Sequence, residues 1–279
     1  MNLHSIFFKI RHNRYLKKYD FIWDILRKPY GFFIDPLNKG IPLVFNDDTT
    51  IRLPLRFYSK NIVNYEQKPT KFLTSWIKSN PESLVIDLGA AIGYISSIAL
   101  HSSNKVKVIG IDSDLMSLKI SEWICSYAEG NRYQVVQSFI SDRSNEICDL
   151  NHAVNLTYSK LKEIKLKKAI VSNEYQVLGD ATKNDIPIYT IDNLFNNANI
   201  STPVLIKCDI EGAEILAIKG AIKFIYKYNP HLAISVHPTL LANYNSSSEE
   251  LKQLIINLGY TVELISIDHE EHWWCTPLN

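Results

Sequence analysis

The sequence predicts an α/β fold, a doubly wound and mostly parallel sheet, on three observations. Short apolar runs alternate with helical patterns between residues 84 and 258, the pattern of a parallel sheet covered by helices on both faces. The first run breaks into a loop of small residues, Gly89-Ala90-Ala91-Ile92-Gly93, before a helix begins. The chain then closes on two strand-like runs joined by the polar link Asp268-His269-Glu270-Glu271, which reads as an antiparallel hairpin on one edge of the sheet.

Taken in order, residues 1–80 read as a small N-terminal helix/strand element: helical over about 5–27, turn-rich at Lys28-Pro29-Tyr30-Gly31, and strand-like at 41–45 and 50–57. A helix opens near Tyr65-Glu66 and runs toward Ser79, where Asn80-Pro81 stops it. The main domain follows as residues 81–279. Its strands are expected at 84–88, 106–111, 133–140, 204–208 and 232–236, its helices at about 93–102, 114–128, 213–226 and 248–258, and its hairpin at 260–267 and 272–276. Residues 143–186 are polar and rich in Lys and Asn, with a helical candidate at 158–168. They read either as an insertion covering the carboxyl edge of the sheet or as a plain surface loop.

The 279 residues are 46% hydrophobic, enough for one large core or a core plus an appendage, and carry a formal charge of +1. No cationic field is available to displace counterions from phosphates, so nucleic acid is not the expected partner. Cys125, Cys148, Cys208 and Cys275 lack any C-x-x-C spacing. Neither a zinc ribbon nor a disulfide framework is indicated, and a reducing, cytoplasmic setting is expected. The apolar run Ile6-Phe7-Phe8 is too short for a signal-peptide core or a transmembrane helix. Lys9, Arg11, Arg14, Lys17 and Lys18 alternate with Ile10, Tyr15 and Leu16, so residues 5–18 fit either a basic helix resting on anionic lipid or a solvated helix face.

The turn after the first strand is the switch point where ligands of such sheets bind. Gly89 and Gly93 are expected to let the backbone approach that ligand closely. Their spacing is not the G-x-G-x-x-G of a pyrophosphate cradle, which favours a cofactor without phosphates. Asp87 would repel a diphosphate but suits a cationic amino-acid portion. Asp112 ends the second strand, where a carboxylate accepts from ribose hydroxyls in nicotinamide and adenosylmethionine enzymes alike; its other reading is a helix N-cap with Ser113 and Asp114. Asp142, after the third strand, is placed to accept from an adenine amino group or to form a turn.

These segments, VIDLGAAIGYIS at 85–96, FISD at 139–142, YTIDNLF at 189–195 and above all LIKCDIEGAEILAIKGA at 205–221, resemble the FkbM family, a branch of the Rossmann-like class I S-adenosylmethionine-dependent methyltransferases. The resemblance covers about residues 62–240. The family typically shows Lys-Ile-Asp-Val-Glu-Gly-Ala-Glu in the last segment. It usually has Gly-Ala-Asn where this chain has Gly89-Ala90-Ala91, and Glu-Pro where it has Asp112-Ser113. The resemblance implies S-adenosylmethionine as donor and a hydroxyl of a saccharide, glycan or related metabolite as acceptor. It implies cofactor contacts at Asp87, Gly89, Gly93, Asp112 and Asp142, with Ala90 and Ser113 beside them.

Lys207, Asp209 and Glu211 share one parity of the strand period and so should point to one side. His237, at the end of the following strand, is the first candidate for the base that removes the acceptor proton, because an imidazole near its ordinary pKa suits that task. Asp209 or Glu211 would orient it or compete for the role. Asp209, Glu211 and His237 also fit a divalent metal, and Lys207 fits either a pair with these carboxylates or an anionic substrate. Glu214 is explained by the helix dipole and stays outside the catalytic set. His269, Glu270, Glu271 and His272 with Trp273-Trp274 fit a sugar-stacking or metal site, or a hairpin strand over His272 to Cys275 with the tryptophans partly in the core; no catalytic role is assigned to them. Two rivals remain: a nicotinamide-dependent oxidoreductase, and a cofactor- or glycan-binding module without catalysis. Oligomeric state is not legible.

Overall fold

A computed structural model describes residues 41–45, 49–54, 57, 66–146, 148–174 and 186–278. The expected helix over 5–27 with its lipid-facing stretch 5–18, the turn at 28–31, and residues 175–185 of the 143–186 segment lie outside the described residues. The described chain begins with β1 (Ile41–Phe45) and β2 (Thr49–Leu53), an antiparallel ribbon pairing Ile41 with Leu53 and Phe45 with Thr49. The ribbon buries Ile51 and Leu53 completely. Helix α1 (Gln67–Ser79) then turns Thr70, Leu73, Thr74 and Ile77 inward, at the spacing of one helical face. Ile51, Leu53, Leu73 and Ile77 share a core with Val85, Ile98 and Leu118 from the main sheet and its helices.

The main sheet is laid down by β3 (Leu84–Leu88), α2 (Tyr94–Ser102), β4 (Lys107–Asp112), α3 (Leu115–Cys125) and β5 (Tyr133–Gln137). Here the chain departs from the expected strand 133–140. Ser138 ends β5, its hydroxyl donating to the carbonyls of Phe139 and Pro187. Phe139–Ile140 becomes β6, which pairs in parallel with β7 (Ile188–Tyr189) in a separate two-stranded sheet. Between them lie α4 (Leu150–Glu163) and α5 (Leu166–Glu174); the helix expected at 158–168 is divided at Ile164, an extended C-cap. Helix α4 packs along the edge strand β5, and its Thr157 hydroxyl accepts from the Gln137 amide, closing an edge that would otherwise invite pairing. The described part of 143–186 therefore wraps that edge.

After the short α6 (Ile191–Leu194) come β8 (Val204–Cys208), α7 (Glu214–Lys219), α8 (Ile222–Tyr228) and β9 (His231–Val236). The single helix expected at 213–226 breaks at Gly220, where a Cβ would stand 2.0 Å from the Ser141 carbonyl oxygen. Asp192 caps the new start by accepting from the Lys223 and Phe224 amides. The one-turn α9 (Pro238–Leu241), α10 (Ser248–Asn257) with its Ser247/Glu250 capping box, β10 (Tyr260–Ile267) and β11 (Glu271–Pro277) complete the chain.

The seven strands run in the order β5-β4-β3-β8-β9-β11-β10. The first five are parallel; β11 is antiparallel to both its neighbours and lies between β9 and β10. Leu84, Ile86 and Leu88 face one core and Val85 the other. Within the fully buried β3 and β8, Asp87 and Lys207 are the polar exceptions, and they are register partners. The order reverses at β3, so a crevice opens beyond the carboxyl ends of β3 and β8. Among the described residues no helix is long and apolar enough to cross a membrane.

Candidate active site

The loop after β3 carries three residues in the left-handed region: Gly89 at φ 79°, Ala91 at 45° and Gly93 at 82°. Its glycines are required by the protein's own packing. A Cβ on Gly89 would stand 1.8 Å from the Asp209 carbonyl oxygen, and one on Gly93 2.7 Å from Ser121 Cβ on α3. Ala90 is buried beneath the loop. The Gly89 and Ala90 amides donate to the Ile111 carbonyl, the Gly93 amide to the Ala90 carbonyl and the Ala91 amide to Asp112 Oδ2. Ala91 holds a conformation that disfavours a Cβ, where the family usually has Asn, a residue more tolerant of it. Ala91→Gly is expected to raise stability by about 1 kcal/mol, or about 2–4 °C in melting temperature; an unchanged or lowered melt would show that the loop holds Ala91 without strain.

Asp112 anchors this loop. Its Oδ2 accepts from Ala91 and its Oδ1 from the Asp114 amide at 2.8 Å each, and burial pushes its carboxyl up. The N-cap of α3 is Asp114, which accepts from Met116 and Ser117, so Asp112 remains a half-buried carboxylate at the crevice. Ser113 turns its carbonyl to Gln137. Asp87 is fully buried, which corrects its expected contact with a ligand's amino group. Its Oδ2 accepts from Ser96 at 2.6 Å, and its Oδ1 has no hydrogen-bond partner. Burial pushes this carboxyl up, against the opposing pull of the Lys207 ammonium. Asp142 follows β6 rather than β5: it packs against the backbone at Gly220, 3.6 Å from Arg143.

Lys207, Asp209, Glu211 and His237 do come together beyond β8 and β9. Lys207 Nζ donates to Asp209 Oδ2 at 2.8 Å. Burial alone would depress the Lys207 pKa, but the carboxylates of Asp209, Asp87 and Glu66 outweigh it and raise it. Burial likewise opposes ionisation of Asp209, yet Lys207 holds its carboxyl below the usual range. Glu211 sits in a left-handed turn with its side chain 77% exposed. His237 Nε2 lies 3.7 Å from Asp209 Oδ1 and 3.6 Å from Glu211 Oε2.

Two carboxylates that the sequence reading left aside grip the same ring. His237 Nδ1 is 2.9 Å from Glu214 Oε1, and Nε2 is 2.6 Å from Glu270 Oε2; both glutamates are buried. These two hydrogen bonds raise His237 to about 10. Both ring nitrogens face buried carboxylates that favour the protonated imidazole, an arrangement that suits an orienting cation better than the expected base. A helix-start Glu and a hairpin-link Glu looked ordinary because their partner, His237, lies beyond the end of β9. Glu270 reaches it because β11 pairs with β9 in the register Glu271–Val236, one step from His237. Trp273 and Trp274 are buried core, as expected.

A doubly wound sheet with a left-handed loop and an ionisable cluster facing each other across its switch point defines a Rossmann-like ligand-binding domain. Residues 45–262 match the family described as the Methyltransferase FkbM domain, and the chain belongs to that family. Among solved structures, the methyltransferase FkbM from Methylobacillus flagellatus KT is 20% identical, over 69% of this chain and 44% of that one, with TM-score 0.44. This chain thus spans less than half the length of that relative. Precorrin-6y C5,15-methyltransferase from Geobacter metallireducens GS-15 is 9% identical over 85% and 97% of the two chains, TM-score 0.46. The SAH-bound methyltransferase PaMTH1 from Podospora anserina is 9% identical over 75% and 78%, TM-score 0.42. No curated protein matches the chain.

Proposed function

We propose that this methyltransferase takes S-adenosylmethionine and methylates a hydroxyl group of a saccharide, glycan or related small metabolite. The observation that carries the reading is the meeting of Lys207, Asp209, Glu211 and His237 across the switch point from the loop 89–93. The loop suits a donor without phosphates: the amides of Gly89, Ala90, Ala91 and Gly93 are all engaged within the protein, so they form no nest for a pyrophosphate. That counts against a nicotinamide dinucleotide. Asp112, with Ser113 beside it, would hold the ribose hydroxyls through its outward lone pairs. Asp87 would act through the loop, its buried and partly unsatisfied charge set against Lys207. When bound, the donor supplies an electrophilic methyl on a sulfonium.

In this reading the acceptor proton passes to the Asp209/Glu211 pair. Glu211 is the better acceptor, because Asp209 is held ionised by Lys207. His237, fixed as a cation, orients both carboxylates. Residues 81–279 carry the chemistry, and residues 1–80 and 143–186 are assigned to accessory and acceptor-covering roles. The charge of +1 favours a small acceptor over nucleic acid, and four unpaired cysteines accord with a cytoplasmic setting. Glu211→Gln and Asp209→Asn are expected to lower kcat about 10²–10⁴-fold while calorimetric affinity for S-adenosylmethionine stays nearly unchanged. Full turnover in both variants would end the assignment of the base; binding of NAD in place of S-adenosylmethionine would end the reading as a whole.

A further inference from the structure

We propose that Glu66, Glu270 and His272 form a site for one divalent transition-metal ion. The three residues come from the start of α1, the hairpin link and β11, and all are buried, at 7%, 3% and 2% exposure. One ligand atom from each lies within 4.8 Å of the others, a span that ligands at about 2.0–2.2 Å from a metal close with small side-chain movements.

Glu270 Oε1 carries the argument. It is buried and has no hydrogen-bond partner, although a buried carboxylate oxygen without a donor is costly. It faces His272 Nε2 at 3.5 Å. Glu270's other oxygen takes the 2.6 Å bond from His237, an outer contact of the kind that orients metal-binding carboxylates. His272 is prepared in the same manner. Its Nδ1 lies 3.2 Å from the Ser235 hydroxyl, so donation there leaves the Nε2 lone pair toward Glu270. The two oxygens of Asp268 lie 3.3 and 3.2 Å from the same Nε2, so two carboxylates converge on that nitrogen.

The surroundings are rich in negative charge. Lys207 donates to Asp209 at 2.8 Å, and the Glu66 carboxylate also acts on its ammonium. Glu66, Lys207, Ser235 and His272 border a cavity of about 30 Å³, room for a water ligand. The trio Asp209, Glu211 and His237 is a weaker site, since Glu211 is exposed and His237 Nε2 already lies 2.6 Å from Glu270. A set of two carboxylates and one imidazole favours Mn²⁺ to Zn²⁺ over Mg²⁺ or Ca²⁺. The proposal does not depend on methyl transfer.

The test is metal content of the full chain, stripped with chelator and dialysed against ZnCl₂. One Zn²⁺ per chain is expected in the wild type and in Glu211→Gln, with a raised melting temperature. Glu270→Gln, His272→Ala and Glu66→Gln are expected to lose it; melts of the metal-free variants distinguish a lost site from a lost fold. No retained Zn²⁺ in the wild type overturns the proposal. So does loss in Glu211→Gln with retention in Glu66→Gln, which would move the ion to the other trio.

Discussion

His237→Ala is expected to cost about 3–5 kcal/mol of stability, because it leaves the buried carboxylates of Glu214 and Glu270 without their shared cation. The same contacts set a pH dependence. They raise His237 from 6.5 to about 10, so the folded chain keeps a proton that the unfolded chain releases as pH passes 6.5. The stability this supplies is complete below about pH 6.5 and drains away as pH rises toward 10. The wild-type melting temperature should fall across that window, and the fall should be smaller in His237→Ala. Equal slopes in the two proteins would mean that the ring is not held as a cation.

Gly89→Ala should be nearly as damaging. A Cβ there would lie 1.8 Å from the Asp209 carbonyl oxygen and 2.9 Å from its carbon, and the residue sits at φ 79°. The neighbour is backbone at the end of β8, so no side chain can swing aside; either β3 or β8 must shift. Overpacking and left-handed strain together amount to about 2–5 kcal/mol, on the order of 10 °C in melting temperature. Because Asp209 would move with its carbonyl, turnover should fall further than stability alone accounts for. A variant that melts like the wild type would show that the two strand ends are not in contact.

Much of the fold was legible, because each parallel strand is a short apolar run whose length and period are local properties. β3, β8 and β10 fall on their expected residues. The misjudged elements were decided by distant partners. Ser138 ends β5 through the Pro187 carbonyl, and Gly220 splits a helix because Ser141 packs on it. Neither contact has any trace in the local pattern.

The site divides along the same line. Lys207, Asp209 and Glu211 were readable as a group, since two-residue spacing at a strand end is a sequence property, and His237 was readable as the end of the next strand. What the sequence by itself determined is the family, the parallel sheet and the residues standing at its carboxyl edge. Only the tertiary structure decided the charge on His237, because a pKa depends on what lies within a few ångströms, and Glu214 and Glu270 arrive there from 23 and 33 positions along the chain. The insertion of β11 between β9 and β10 is what turns a hairpin link into a wall of the site.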